Sequence, residues 1–198
     1  MLERRHAIAT LLANRRDDLL IVSGLGSTTY DVASVKDDDC NFYLWGAMGG
    51  AAMVGLGIAL ARPDRRVAVI TGDGETLMGL GALATVGVQR PANLAIVVFD
   101  NGLYGETGSQ ASHTSGTVDL VQAAVACGID LTMDVDDDAG LARLADMLAT
   151  CTQTLFARVA ITPTEPPRVL PTRDGVALKL RFRTAAGSAR ARPGDTAG

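Results

Sequence analysis

The hydrophobic pattern is dominated by three apolar runs, at residues 67–70, 94–99 and 154–161. Each has strand length and turn-forming flanks, so each reads as a strand buried within a sheet. A shorter run, residues 19–23, predicts a further strand near the N-terminus. Between the runs the pattern turns helical. Residues 4–16 place Ile8, Leu11 and Leu12 on one face, and residues 76–89 form a segment of helix length. Residues 48–60 are almost all small or apolar, with Pro63 and Asp64 ending the segment. A membrane span needs about 20 apolar residues, so this is expected to be a buried helix, its glycines permitting close packing. Asp119 is placed to cap a helix reaching Ala126, and the aspartates at 136–138 lead into a helix over 139–150. Residues 129–135 predict a weak strand, residues 24–29 a polar turn, residues 37–39 a solvated loop and residues 42–45 an apolar approach to the glycine-rich stretch. This alternation predicts an α/β fold: a doubly wound, mainly parallel sheet with helices on both faces.

Beyond Pro163 the pattern breaks. Pro163, Pro166, Pro167 and Pro171 read as extended chain, residues 176–182 as a strand-like run, and residues 184–198 as a disordered end rich in Ala, Gly, Arg and Pro. The expected organisation is a folded domain over 1–165 and a tail over 166–198. A length of 198 residues and a hydrophobic fraction of 47% suit one domain with a sizeable core. The net charge of −4 argues against nucleic-acid binding. Cys40, Cys127 and Cys151 are widely spaced and odd in number, which favours buried thiols over a disulfide framework or a zinc site. No apolar stretch follows Glu3, Arg4 and Arg5, so neither a signal peptide nor a membrane segment is expected, and the cytoplasm is the default location.

The chemistry concentrates where two of the predicted strands end. Gly72-Asp73-Gly74 follows one, and Asp100-Asn101 follows the next. A parallel strand–helix–strand unit brings both ends to one edge of the sheet. A carboxylate and an amide oxygen there, beside glycines that let a phosphate approach, describe a magnesium–diphosphate site. Taken alone, Asp73 also fits a helix-start aspartate, and Asn101-Gly102 an ordinary turn. A dinucleotide fold is disfavoured, because no Gly-x-Gly-x-x-Gly follows the first strand.

Gly72-Asp73-Gly74, its spacer, and Asp100-Asn101 with Tyr104-Gly105 resemble the diphosphate-binding motif of thiamine-diphosphate enzymes. Asn41-Phe42-Tyr43, Gly46-Ala47-Met48-Gly49, Tyr104-Gly105-Glu106-Thr107-Gly108 and Ser112-His113-Thr114 resemble the sulfopyruvate decarboxylase β subunit and the C-terminal part of phosphonopyruvate decarboxylase. The resemblance covers about residues 1–160 and implies the diphosphate-binding domain alone. It implies that Mg2+ is coordinated by Asp73, Asn101 and the backbone carbonyl of Leu103, and that the amides of Gly74 and Glu75 face the diphosphate. The carboxylate of Glu75 departs from the small residue of many relatives and is expected to turn away. The resemblance makes Met48 the wedge that bends the cofactor, with the Gly46 carbonyl accepting from its pyrimidine amino group. A core methionine is the plainer reading of Met48. His113 is a candidate for proton transfer, or a loop histidine that orders its segment; Tyr104 is expected to pack beside the cofactor, and Glu106 to bond within its own loop. The hydroxyls of Ser27, Thr28 and Thr29 fit either an anion or a turn.

The reaction implied is decarboxylation of a 2-oxo acid, with a sulfonate or phosphonate as second anionic group. Family chemistry needs a glutamate from a pyrimidine-binding domain, so a partner subunit is expected to supply it in a hetero-oligomer, a dimer or tetramer of chains. The alternatives are a subunit of an acetolactate-synthase-like carboligase, a β subunit of a 2-oxo acid:ferredoxin oxidoreductase, and a non-catalytic regulatory subunit. The oxidoreductase is disfavoured by the lack of a cysteine cluster.

Overall fold

The computed structural model describes residues 1–187. In chain order its elements are α1 (Arg4–Leu12), β1 (Leu19–Ser23), α2 (Ser27–Val35), β2 (Asn41–Tyr43), α3 (Ala51–Ala61), β3 (Arg66–Gly72), α4 (Asp73–Met78), α5 (Ala82–Gln89), β4 (Leu94–Asp100), the short hairpin β5 (Leu103–Tyr104) and β6 (Gln110–Ala111), then α6 (Leu120–Ala126), β7 (Leu131–Val135), α7 (Asp138–Thr150), β8 (Leu155–Ala160) and α8 (Gly175–Gly187). Six strands form one sheet in the order β2-β1-β3-β4-β8-β7, with every pairing parallel. This is the doubly wound α/β arrangement that the alternation predicts.

The continuous apolar runs have a direct physical reason. A parallel sheet is covered on both faces, so its central strands cannot alternate polar with apolar. β1 and β4 are buried at every position. On one face Ile21, Ile70 and Val97 meet Ile8 and Leu11 of α1, Val32 of α2 and Leu141 and Leu144 of α7. On the other, Val22, Val69, Ile96 and Phe156 meet Leu56 of α3, Leu83 and Val86 of α5 and Leu120 of α6. Asp119 and Asp137 cap α6 and α7 by accepting from Gln122 N and Gly140 N.

Several elements differ from expectation. The first helix stops at Leu12. The helix foreseen from Met48 begins at Ala51, because Gly49 has φ +84°, outside the right-handed helical region. Residues 76–89 form two helices, α4 and α5, broken at Gly79–Gly81; a Cβ on Gly79 would lie 2.2 Å from Gly49 O, so the break lets two backbones touch. The stretch read as a turn at 24–29 already enters α2 at Ser27.

The strand-like run at 176–182 is helical, within α8. Leu178 and Phe182 are buried one turn apart, and Phe182 stacks on Phe42 with centroids 5.3 Å apart. Arg181 grips Asp37 with both terminal nitrogens, so the aspartates at 37–39 are tied down rather than simply solvated. Residues 184–187 also lie in α8, and the disorder expected for 188–198 falls outside the described residues.

The hydrogen bond from Arg181 holds the Asp37 pKa below the ordinary carboxylate value. A depressed carboxylate pKa stabilises the folded form above the unfolded pKa, about 3.9, and that contribution is lost as pH falls through the folded value. α8 is therefore expected to loosen below about pH 4. Trp45, the chain's single tryptophan, donates to Thr172 O and lies under Arg173, so its fluorescence reports the docking. Asp37→Asn should loosen the segment at neutral pH and flatten its acid transition. An Asp37→Asn transition identical to wild type would refute this.

Candidate functional site

The chain leaves β1 toward β2 on one side and later places β3 on the other, so the winding direction reverses between β1 and β3. Loops at such a point diverge and leave a crevice beyond the C-terminal strand ends, where ligands bind in doubly wound folds. A cavity of about 150 Å3 lies there, lined by Leu25, Ser27 and Thr28 after β1, Gly72 and Asp73 after β3, and Asn101 after β4. Register explains the convergence: Gly72 pairs with Phe99, so Asp73 comes beside Asp100 and one residue from Asn101. The cavity also takes in Met48, Gly74, Glu75, Leu103, Tyr104 and Gly105. Gly46 lies outside it, exposed before α3.

Asp73 is buried at 2% exposure. Burial, and then the neighbouring charge of Asp100, push its pKa up, while Ser112 Oγ pulls it down by donating to Oδ2. Asn101 Oδ1 accepts from Leu103 N at 2.9 Å, which fixes the amide oxygen toward the backbone of β5. Ser112 N donates to Gly102 O at 2.7 Å, which makes the next pair, Leu103 and Ala111, the non-hydrogen-bonded pair of the hairpin. The Leu103 carbonyl therefore faces away from β6, on the edge where its own N–H meets Asn101.

Glu75 lines the cavity, and its carboxylate is engaged by backbone amides of the neighbouring segments. Its Oε2 accepts from Leu25 N at 3.0 Å and its Oε1 from Ala51 N at 3.4 Å. Burial is the largest influence on it and raises its pKa. Tyr104 covers Gly74 so closely that a Cβ there would lie 2.6 Å from the ring, and its hydroxyl meets His113 Nδ1 at 2.9 Å. His113 touches the site through Tyr104 and does not line the cavity. Glu106 packs across against Gly26, where a Cβ would sit 2.3 Å from its Oε1. Met48, 36% exposed at the rim, is not a core methionine.

Sequence reasoning gave no role to four residues here: Asp100 and Thr114, present only within motifs, and Arg158 and Arg4. Asp100 is 3% exposed and bonds Thr114 Oγ1 at 2.7 Å and Arg158 Nε at 2.6 Å. Thr114 and Arg158 lie far from Asp100 in sequence, and no local pattern joins them. Arg4, noted only for its charge, is also buried in the cavity wall, paired with Asp31 at 2.7 Å.

Residues 25–159 match the family model of the thiamine pyrophosphate enzyme C-terminal TPP binding domain. The chain is 42% identical over 163 residues to phosphonopyruvate decarboxylase of Streptomyces viridochromogenes, across 79% of this chain and 39% of that enzyme. It therefore spans well under half of that relative's length. It is 41% identical over 128 residues to sulfopyruvate decarboxylase subunit beta of Methanocaldococcus jannaschii, across 65% of this chain and 68% of that subunit. A solved structure of 2-oxoglutarate:ferredoxin oxidoreductase from Magnetococcus marinus matches with a TM-score of 0.66 at 19% identity, over 90% of this chain and 73% of that one, a likeness of fold.

Proposed function

The chain belongs to the thiamine pyrophosphate enzymes, as their C-terminal cofactor-binding domain, and from that premise we propose that it is the diphosphate-binding subunit of a 2-oxo acid decarboxylase acting on a sulfopyruvate- or phosphonopyruvate-like acid. One observation carries the reading: Asp73, Asn101 and the Leu103 backbone, from two adjacent strand ends, converge on one cavity. Thiamine diphosphate supplies the electron sink for loss of carbon dioxide from such an acid.

In this reading Asp73 and Asn101 hold Mg2+ through side-chain oxygens and Leu103 through its carbonyl. Among the described residues no three His, Cys, Asp or Glu side chains are grouped as a metal cage. A hard cation here would then take its remaining oxygens from diphosphate and water, as magnesium commonly does. The glycines suit a bound group. A Cβ on Gly72 would meet nothing nearer than Phe99 O at 3.9 Å, and one on Gly105 would meet nothing, so packing does not demand glycine at either place. Met48, at the rim, would orient the cofactor rings, and the Gly46 carbonyl would be the acceptor for their amino group. His113 and Tyr104 form a hydrogen-bonded pair at the cavity wall that would hold or pass a proton for the reaction.

The partner is the other half of the proposal. The cavity is smaller than the 300–1,000 Å3 typical of a ligand pocket, and Met48 stands at its open rim. A pyrimidine-binding chain supplying the glutamate would close that side and make a hetero-oligomer. Three free thiols go with a reducing, cytoplasmic setting, and among the described residues no helix is long and apolar enough to cross a membrane.

The test is carbon dioxide release from a panel of 2-oxo acids by this chain, by a co-expressed partner, and by the two together. Release is expected from the mixture alone, fastest with acids bearing a second anion. Turnover by the chain alone would defeat the partner requirement, and carboligation without release would favour the acetolactate-synthase-like alternative.

A further inference from the structure

Two hydroxyls stand between the two buried carboxylates at the strand ends. Ser112 Oγ lies 2.5 Å from Asp73 Oδ2. Thr114 Oγ1 lies 2.7 Å from Asp100 Oδ1 and 3.2 Å from Asp73 Oδ2. The two hydroxyls are 2.8 Å apart. Each carries one proton, and an ionised carboxylate only accepts. The shorter distances assign the Ser112 proton to Asp73 and the Thr114 proton to Asp100.

Both hydroxyls approach Asp73 at the same oxygen, Oδ2, Ser112 donating to it and Thr114 packing against it while donating to Asp100. Asp100 is secured separately. Its Oδ1 also accepts from Gly102 N at 3.0 Å, which shapes the turn after Asn101. Its Oδ2 is paired with Arg158 Nε at 2.6 Å, and Arg158 Nη1 reaches Asp134 on the surface at 3.0 Å. Ser112 is 4% exposed, so water has little access to take its place.

We propose that Ser112 and Thr114 are positioning residues for the cation site. Ser112 holds the Asp73 carboxylate by Oδ2 so that the other oxygen is presented, while Thr114, packed against that same Oδ2, donates to Asp100 and keeps it, neutralised by Arg158, as an anchor of the Asn101 turn rather than a competing ligand. The proposal rests on the reading of Asp73 as a magnesium ligand. Donors behind a metal ligand fix its orientation before the ion arrives, and their loss typically costs 10–100-fold in metal affinity.

The experiment is a magnesium titration at fixed thiamine diphosphate, followed by calorimetry, on the full chain with its co-purified partner. Ser112→Ala and Thr114→Val should each weaken the apparent magnesium affinity by about 10–100-fold. Thr114→Ser should restore it. Asp134→Asn, which removes only the exposed partner of Arg158, should leave it unchanged. Thermal melts of the magnesium-free proteins identify variants that are folded, and Ser112→Ala and Thr114→Val probe the network independently, so either one that folds decides. Wild-type affinity in a folded Ser112→Ala or Thr114→Val variant, or failure of Thr114→Ser to rescue, overturns the positioning role alone. Thiamine diphosphate binding by the wild type that ignores magnesium overturns the site reading and this proposal together.

Discussion

Asp73→Asn is expected to abolish magnesium-dependent binding of thiamine diphosphate while leaving the empty chain at least as stable as wild type. The two halves of this result have one cause. Asp73 is buried beside Asp100, and both effects raise its pKa. The folded chain then binds that proton more tightly than the unfolded chain does. The group's contribution to stability is most favourable at acid pH and declines as pH rises from the unfolded value, near 3.9, through the folded one. An asparagine carries no such cost and can still accept from Ser112. It cannot supply the anionic oxygen that magnesium prefers. A ligand at a hundred times its dissociation constant stabilises a protein by about 2.7 kcal/mol, and that increment should vanish in the variant. Paired thermal melts with and without magnesium and thiamine diphosphate measure both effects. A variant that keeps the full upward shift would show that Asp73 is no ligand.

Glu75→Ala should be the most damaging single change near the site, acting on stability rather than chemistry. The carboxylate is 6% exposed and joins three segments: its own helix α4, the loop after β1 through Leu25 N, and the start of α3 through Ala51 N. Gly24 is shaped around it, since a Cβ there would fall 1.8 Å from Oε2. Removing the side chain leaves buried N–H groups without their acceptor, at about 1–3 kcal/mol each. Relief of the buried charge offsets part of this, and a net loss of about 2–4 kcal/mol is expected. Glu75→Gln keeps one acceptor oxygen but turns an NH2 toward a donor, and should lose about half as much. Urea denaturation resolves these differences. A Glu75→Ala chain within about 0.5 kcal/mol of wild type, the range of an ordinary surface change, would remove the carboxylate from its role as a tie.

The sheet was readable because a parallel sheet imposes one requirement, burial on both faces, and continuous apolar runs meet it visibly. The runs 19–23, 67–70 and 94–99 stand out for that reason, and each lies within a strand of the sheet. α2 was hidden because its first turn is Ser27-Thr28-Thr29, which reads as loop, although Thr28 and Thr29 are buried. α8 misled in the opposite way. Val176, Leu178, Leu180 and Phe182 alternate like a strand, yet only Leu178 and Phe182 are buried, four residues apart on one helical face, while Val176 and Leu180 are exposed. In the site, Asp73 and Asn101 were legible because strand ends can be located from local pattern. The Ser112, Thr114, Asp100 and Arg158 network was not. It is made by contacts across 39 and 58 positions of chain, and a hydroxyl's partner at that range is set by tertiary packing alone.

The packing of α8 against β2 has a consequence for how copies of this chain behave at high concentration. β2 is an outer strand of the sheet, and an outer strand with a free ladder is a template for a neighbouring chain. Here Phe182 and Arg181 stand guard over it through Phe42, Tyr43 and Asp37. At the opposite border, β7 carries Asp134 outward as a charge. Both borders thus discourage strand-by-strand stacking into aggregates. Trimming the chain before residue 175 would unseal one border, and turbidity on standing would be the first sign of it.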